Sequence, residues 1–277
     1  MYVRNFKNIT LGLLVVCTAG CANFNGVKML APETFGLSQV AQNIYVEASA
    51  EQVTRDKIQE AVVRAEKSVE KVYGGVNSRP VIIVCMSREC YGTFGGSKNT
   101  VGGSFVFINR LLLAPEGDNW HLIAHEWSHR ELFSRLSLRA WWQIPTWFDE
   151  GLAVATSDAP QHSEEHWQYL ASNNIQRPGR EQLLTLKTLK QWNGAIHQYG
   201  EDGNIERKAK GEVLIHPVYT AAGQELRPWV AHVGSAGLLA LIDRMNDGAD
   251  FKSAYQTANS AVERDAPKVT LAPRPSP

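Results

Sequence analysis

The segment His125-Glu126-Trp127-Ser128-His129 constrains this chain more than any other. Apolar residues recur at near-helical spacing from Trp120 to Phe133, so the segment is predicted to lie in a helix. Residues four apart share one helical face, which places both histidines on the same side. The preceding Asp118 or Asn119 is suited to cap the first turn.

Two imidazoles on one helical face can bind a single metal ion. Glu126 is rotated about 100° from His125, because a helix has roughly 3.6 residues per turn. Its carboxylate is therefore expected beside the metal, where it can take a proton from water. A solvated helix with the same three residues would show the same pattern. The apolar surroundings favour a metal, since a core helix rarely buries two histidines without a partner.

A catalytic zinc site needs a third protein ligand and an open position. The segment from Ile144 to Val154 is an apolar helix that begins near Pro145 and carries Asp149 and Glu150 in its middle. Burying an acidic pair is costly unless a metal or hydrogen bonds compensate. Glu150 is therefore predicted to be the third ligand of one Zn²⁺ ion.

H-E-x-x-H, followed about twenty residues later by Trp147-Phe148-Asp149-Glu150-Gly151-Leu152-Ala153, resembles the gluzincin metallopeptidases, and most closely the bacterial "peptidase MA-like" domains. The resemblance extends from about Val101 to Phe251. It implies that His125, His129 and Glu150 bind zinc and that Glu126 is the general base of peptide-bond hydrolysis. The metzincins are excluded, because Leu132 and Arg135 stand where that class needs Gly and His.

The resemblance also implies the fold, an α+β, zincin-like domain. A small mixed sheet would place an edge strand over the H-E-x-x-H helix, and a mostly helical C-terminal part would follow. Val101 to Asn109 is predicted to be a strand, and its Gly102 to Phe107 part is the candidate edge. By resemblance an extended substrate pairs with its backbone, at Gly102, Gly103, Ser104 and Phe105. A plain core strand is the alternative.

In related gluzincins a Tyr or His on a late helix donates a hydrogen bond to the oxyanion that forms during hydrolysis. Tyr219 is the best match by position and is the second predicted catalytic residue. A packing role for its ring is the alternative.

Two further elements are predicted upstream. Val53 to Tyr73 has the apolar spacing of a long amphipathic helix that ends at Gly74. Arg79 to Ser87 is a β-branched run typical of a buried strand. Cys85 and Cys90 are predicted to form a disulfide; a metal site on this pair would need a second pair of cysteines, which the mature chain lacks.

The N-terminus is predicted to be a signal peptide covering residues 1–20. Arg4 and Lys7 supply positive charge, and Ile9 to Val16 is an apolar run too short to span a bilayer. The following Thr18-Ala19-Gly20-Cys21 resembles a bacterial lipobox with Cys21 as the lipidated residue; an ordinary cleaved signal peptide is the alternative. Ala22, the residue directly after Cys21, resembles the residue at this position in lipoproteins that are sorted to the outer membrane. The expected location is the cell envelope, at the outer membrane facing the periplasm, with the membrane as a partner through the lipid anchor.

The remaining chain is divided into a tether at 21–44, one metallopeptidase domain at 45–262 and a Pro-rich, disordered tail at 263–277. Lysine plus arginine and aspartate plus glutamate number 28 each, so the formal net charge is zero and no basic patch indicates nucleic-acid binding.

The expected partner is a peptide or protein substrate. Two alternatives to the peptidase function stay open. One is a non-peptidase hydrolase of an envelope amide, and the other is a binding or assembly lipoprotein that keeps the zinc site. An intact Glu126 disfavours the second.

Overall fold

The computed structural model describes residues 24–98 and 100–265. The fold is mixed, with a five-stranded sheet and a larger helical part, which confirms the predicted α+β class. The strands are β1 Leu37–Ala41, β2 Ile44–Glu47, β3 Val81–Val84, β4 Gly102–Phe105 and β5 Arg110–Leu113. The helices are α1 Phe24–Lys28, α2 Gln52–Tyr73, α3 Arg88–Thr93, α4 Trp120–Arg135, α5 Leu138–Trp141, α6 Thr146–Ser157, α7 Glu164–Ser172, α8 Arg180–Leu183, α9 Leu189–Gln198, α10 Asn204–Ala209, α11 Pro217–Asn246 and α12 Phe251–Asp265.

The sheet is mixed, in the order β1-β2-β3-β5-β4. The inner pairs β2/β3 and β3/β5 are parallel, while β1/β2 and β4/β5 are antiparallel. β4 is therefore an edge strand, and it packs against α4. No strand in the described part of the chain pairs with its outer edge.

The sheet separates two apolar cores. The larger core lies between one sheet face and the helices, where Ile82 and Leu111 meet buried residues of α2, α4, α6 and α11. The amphipathic helix predicted upstream is confirmed as α2, and its buried face includes Ile58, Val62 and Val69. Its end at Gly74 requires a left-handed backbone (φ +69°), which glycine adopts without a steric cost.

The smaller core covers the opposite face of the sheet and corrects the predicted tether. Met29 is fully buried there, together with Leu37 and the ring of Phe94. β1 pairs with β2, and the predicted boundary at residue 45 falls inside β2. The described residues before position 45 thus belong to the folded domain, because these apolar side chains cover a sheet face that would otherwise be exposed.

Two other boundaries differ from the sequence prediction. The strand predicted over 101–109 ends at Phe105, after which Val106–Ile108 forms a 3-10 turn. Asn109 then adopts a left-handed conformation (φ +55°) that turns the chain back into β5. At the other end, α12 continues to Asp265, so the first residues of the predicted tail are helical.

The predicted signal peptide and Cys21 lie outside the described residues, as does the rest of the tail. Within the described ranges, no helix combines the length and the apolar character needed to cross a bilayer.

Candidate metal centre

α4 and α6 carry the three predicted metal ligands. α4 begins at Asn119, whose side-chain oxygen accepts a hydrogen bond from the amide of Leu122 at 3.1 Å, so the predicted cap is confirmed. α6 begins after Pro145 and packs against both α4 and α11. At the α6–α11 contact, a Cβ on Gly151 would lie 3.0 Å from the carbonyl oxygen of Ala222, so glycine permits the close approach that positions Glu150.

The structure brings the predicted ligands together. Nε2 of His125 lies 3.4 Å from Oε2 of Glu150, and Nε2 of His129 lies 3.7 Å from the same oxygen. All three donor atoms lie within 4.8 Å of one another. Residues about twenty apart in the chain therefore present two nitrogens and one oxygen to a single point.

The donor set fits zinc. Ligand atoms about 2.0–2.2 Å from a tetrahedral zinc are about 3.3 Å apart, close to the separations found here. Oε2 of Glu150 is buried and has no hydrogen-bond partner among the described residues. Such an atom is costly to leave unpaired, and a cation between it and the two imidazoles would satisfy it.

Asp149 orients one of the two histidines. Its Oδ1 lies 2.9 Å from Nδ1 of His129, which leaves Nε2 of that ring facing Glu150. Metal-binding histidines usually have such a carboxylate partner. Sequence position alone does not distinguish Asp149 from Asp158 as this partner, and the structure selects Asp149. His121 lies outside the donor set, because its Nδ1 contacts the carbonyl oxygen of Ser157 at 2.8 Å.

The electrostatics of the site favour a positive charge. Burial alone lowers the pKa of His129, but the carboxylates of Asp149 and Glu150 outweigh it and raise this pKa to about 10. Burial raises the pKa of Glu150, and the neighbouring His129 and His125 outweigh that effect and lower it. The buried acidic groups thus stabilise a cation here, whether a proton on His129 or a metal ion.

Glu126 lies between the metal position and the edge strand. Its side chain is buried, and this burial raises the pKa of the carboxyl group. A Cβ placed on Gly102 would lie 2.9 Å from Oε1 of Glu126. The predicted base therefore faces β4, where the sequence analysis placed the substrate.

Tyr219 also lies beside the donor set, in the first turn of α11. Its ring centre is 6.0 Å from that of His125. The ring stacks on His162 at 5.2 Å and meets the edge of Trp192 at 5.2 Å. Burial raises the pKa of the phenol well above its usual value, so its hydroxyl stays protonated and available as a donor.

Sequence reasoning missed the residues that hold Tyr219. His162 and Trp192 lie on other elements, and no spacing relates them to α11. Oε1 of Glu201 accepts hydrogen bonds from the amides of Val218 and Tyr219 in the first turn of α11. It follows a glycine in a polar segment, and nothing in that pattern indicates a buried carboxylate.

A scan against protein-family models found no match to this chain. Searches of the curated proteins and of the solved structures found none either.

Proposed function

We propose that the protein is a zinc-dependent peptidase of the gluzincin type. The observation that carries the proposal is the convergence of two imidazole nitrogens and an unpartnered, buried carboxylate oxygen beside Glu126. The edge strand β4, which packs against α4, supports the proposal, because a zincin-like fold would offer such an edge to an extended peptide.

His125, His129 and Glu150 would hold the zinc ion. When bound, zinc polarises the scissile carbonyl and lowers the pKa of a water molecule at the site. Glu126 takes the proton of that water as it attacks the carbonyl carbon and then delivers the proton to the leaving amine. Burial supports this step, because it raises the pKa of Glu126 from its usual acidic value.

Two further groups assist. The Tyr219 hydroxyl donates a hydrogen bond to the oxygen that gains negative charge during attack. The outer edge of β4, at Gly102, Gly103, Ser104 and Phe105, pairs with the backbone of the substrate. The protein acts in the cell envelope, anchored through lipid on Cys21, on peptides or proteins and not on nucleic acid.

The base is tested with Glu126→Gln, which keeps the size of the side chain and removes its basicity. We expect about one zinc per chain in wild type and variant by elemental analysis. The wild type is expected to cleave members of a diverse peptide library, and Glu126→Gln is not. A chelator should abolish the cleavage. Glu165→Gln, an exposed change on α7, is the matched control and retains full activity.

Absence of zinc from the wild type would overturn the metal site and the mechanism together. Zinc without cleavage of any peptide would favour the binding lipoprotein or the envelope amide hydrolase. Cleavage that persists in Glu126→Gln would show that another group is the base.

Tyr219→Phe tests the proposed donor. The ring stays between His162 and Trp192, and only the hydroxyl is lost. We expect kcat to fall about 10²–10³-fold with KM and zinc content little changed. Tyr169→Phe on α7 is the control. An unchanged kcat would restrict Tyr219 to packing.

A further inference from the structure

Five apolar side chains, three exposed and two half-buried, form an aromatic ridge at the C-terminal end of α4. The ring centre of Phe107 lies 5.1 Å from that of Phe133, which lies 5.2 Å from that of Trp141. Leu138 and Trp142 share one face of the turn at α5, four residues apart. The ridge therefore consists of Phe107, Phe133, Leu138, Trp141 and Trp142.

The ridge exposes a large apolar area. Phe107 is 67% exposed, Trp142 71% and Leu138 56%. Contiguous apolar side chains on a surface mark an interaction site, whereas scattered ones do not.

Met29, which follows α1, lies near one end of this ridge. The guanidinium of Arg110 donates to the carbonyl oxygen of Met29 at 3.1 Å and to that of Ile108 at 2.9 Å. Met29 thus lies next to the 3-10 turn that carries Phe107. Val27 and Leu30, on either side of it, are each 56% exposed.

We propose that the aromatic ridge lies in the interface of a lipid bilayer. This rests on the envelope location proposed above. Only two residues separate Cys21 from α1, and three extended residues span at most about 10 Å. A lipid on Cys21 would therefore hold this end of the domain against the membrane, with the ridge beside the anchor. Trp and Phe suit that position, because their rings bury apolar area at the level of the headgroups.

Apolar contact, more than charge, carries the interaction. Arg130 lies 5.3 Å from the Phe133 ring centre, Arg139 is exposed on α5, and neither makes an ion pair with any described residue. Acidic Asp247 lies close by, since the adjacent Asn246 bonds the amide of Ser137. The surface is thus of mixed charge, and zwitterionic vesicles are expected to bind it nearly as well as anionic ones.

Single-cysteine labelling tests the orientation. The proposed mature chain has no free thiol, because Cys21 is lipidated and Cys85 is bonded to Cys90. Bimane is attached at Leu138→Cys on the ridge, or at Leu189→Cys on α9, which is 66% exposed. The lipidated protein is reconstituted in phosphatidylethanolamine–phosphatidylglycerol vesicles that contain brominated lipid.

We expect bromine to quench the label at 138 several-fold more than the label at 189. Trp142→Glu should reduce that difference, and it should leave peptide cleavage in detergent unchanged, which separates this proposal from the peptidase proposal. Equal quenching at both sites would overturn the membrane-facing ridge. The proposal would also be overturned if shielding of the label at residue 138 depended on protein concentration and not on lipid. That result would indicate that a second copy of the chain covers the ridge.

Discussion

At the scale of single residues, Asp149 would fix the orientation of His129 toward the proposed metal ion. Its carboxylate holds Nδ1 of the imidazole at 2.9 Å. Asp149→Ala removes this partner, so the ring can rotate or change tautomer at no cost. We expect the affinity for zinc to fall about 10–100-fold, measured by competition with a chromophoric chelator.

Asp118→Ala is the control for this prediction. Asp118 is exposed just before α4 and bonds neither histidine. Its loss should leave zinc affinity unchanged. Equal affinities for zinc in wild type and Asp149→Ala would mean that α4 alone fixes the ring.

The candidate ligands were predictable from the sequence because two short motifs contain all three of them. A helix places His125 and His129 on one face, and an acidic pair in an apolar helix needs compensation. The carboxylate that orients His129 was not predictable to the same degree, because the sequence alone gives no reason to prefer Asp149 over Asp158. Only the packing of α6 on α4 distinguishes them.

At the scale of elements, the contact between β4 and α4 positions Glu126, the proposed base. Gly102→Ala would bring a methyl group to 2.9 Å from Oε1 of Glu126 and 3.1 Å from Cδ2 of Leu122. Since neither the strand nor the helix can yield freely, the carboxylate must move. We expect kcat to fall at least tenfold while zinc content stays the same.

Gly103→Ala supplies the matched control for that contact. A Cβ at this position has ordinary contact only, 3.7 Å from Cε2 of Phe105. Gly103→Ala should therefore keep the kcat of the wild type while that of Gly102→Ala falls, and both variants should keep their zinc content. Equal loss in both would indicate that added strand stiffness, and not displacement of Glu126, lowers activity.

A second prediction at this scale concerns the N-terminus of α11. Burial raises the pKa of Glu201 from 4.5 to about 8, even though amide hydrogen bonds from Val218 and Tyr219 lower it. The folded protein therefore keeps a proton between these values that the unfolded chain releases. The bound proton on Glu201 therefore contributes to the free energy of unfolding. This contribution, at most about 5 kcal/mol, is complete below about pH 4.5 and is lost as the pH rises through 8.

Denaturant unfolding at several pH values measures this effect. The free energy of unfolding of Glu201→Gln should fall less between pH 5 and 8 than that of the wild type. The exposed Glu212→Gln should behave as the wild type does. Parallel curves for all three proteins would show that Glu201 stays ionised in the fold.

The elements differ in how far sequence predicts them. α2 was clear because its buried residues recur every three or four positions over 22 residues. The strand predicted over 101–109 was too long, because the apolar residues continue beyond the strand into a 3-10 turn. That turn ends at Asn109, which has a left-handed conformation. β1 was missed because five residues of mixed polarity carry little periodicity, and its pairing with β2 is a tertiary contact.

At the scale of the whole molecule, the candidate metal site joins two helices that carry much of the larger core. The unfolded chain holds His129 and Glu150 about twenty residues apart and cannot present all the donors at once. Zinc at the proposed site would therefore bind the folded state almost exclusively, and its binding free energy would add to stability. At a free zinc concentration 1,000 times Kd this amounts to about 4 kcal/mol.

That linkage predicts the response to metal removal. For a domain of this size about 4 kcal/mol corresponds to roughly 8–16 °C in Tm, so a chelator should lower the Tm of the wild type by about 10 °C. Glu126→Gln should show the same decrease, because Glu126 is not a ligand. Glu150→Ala should begin with a lower Tm and respond little to the chelator. A full response in Glu150→Ala would place the bound metal elsewhere and would refute the His125, His129 and Glu150 centre.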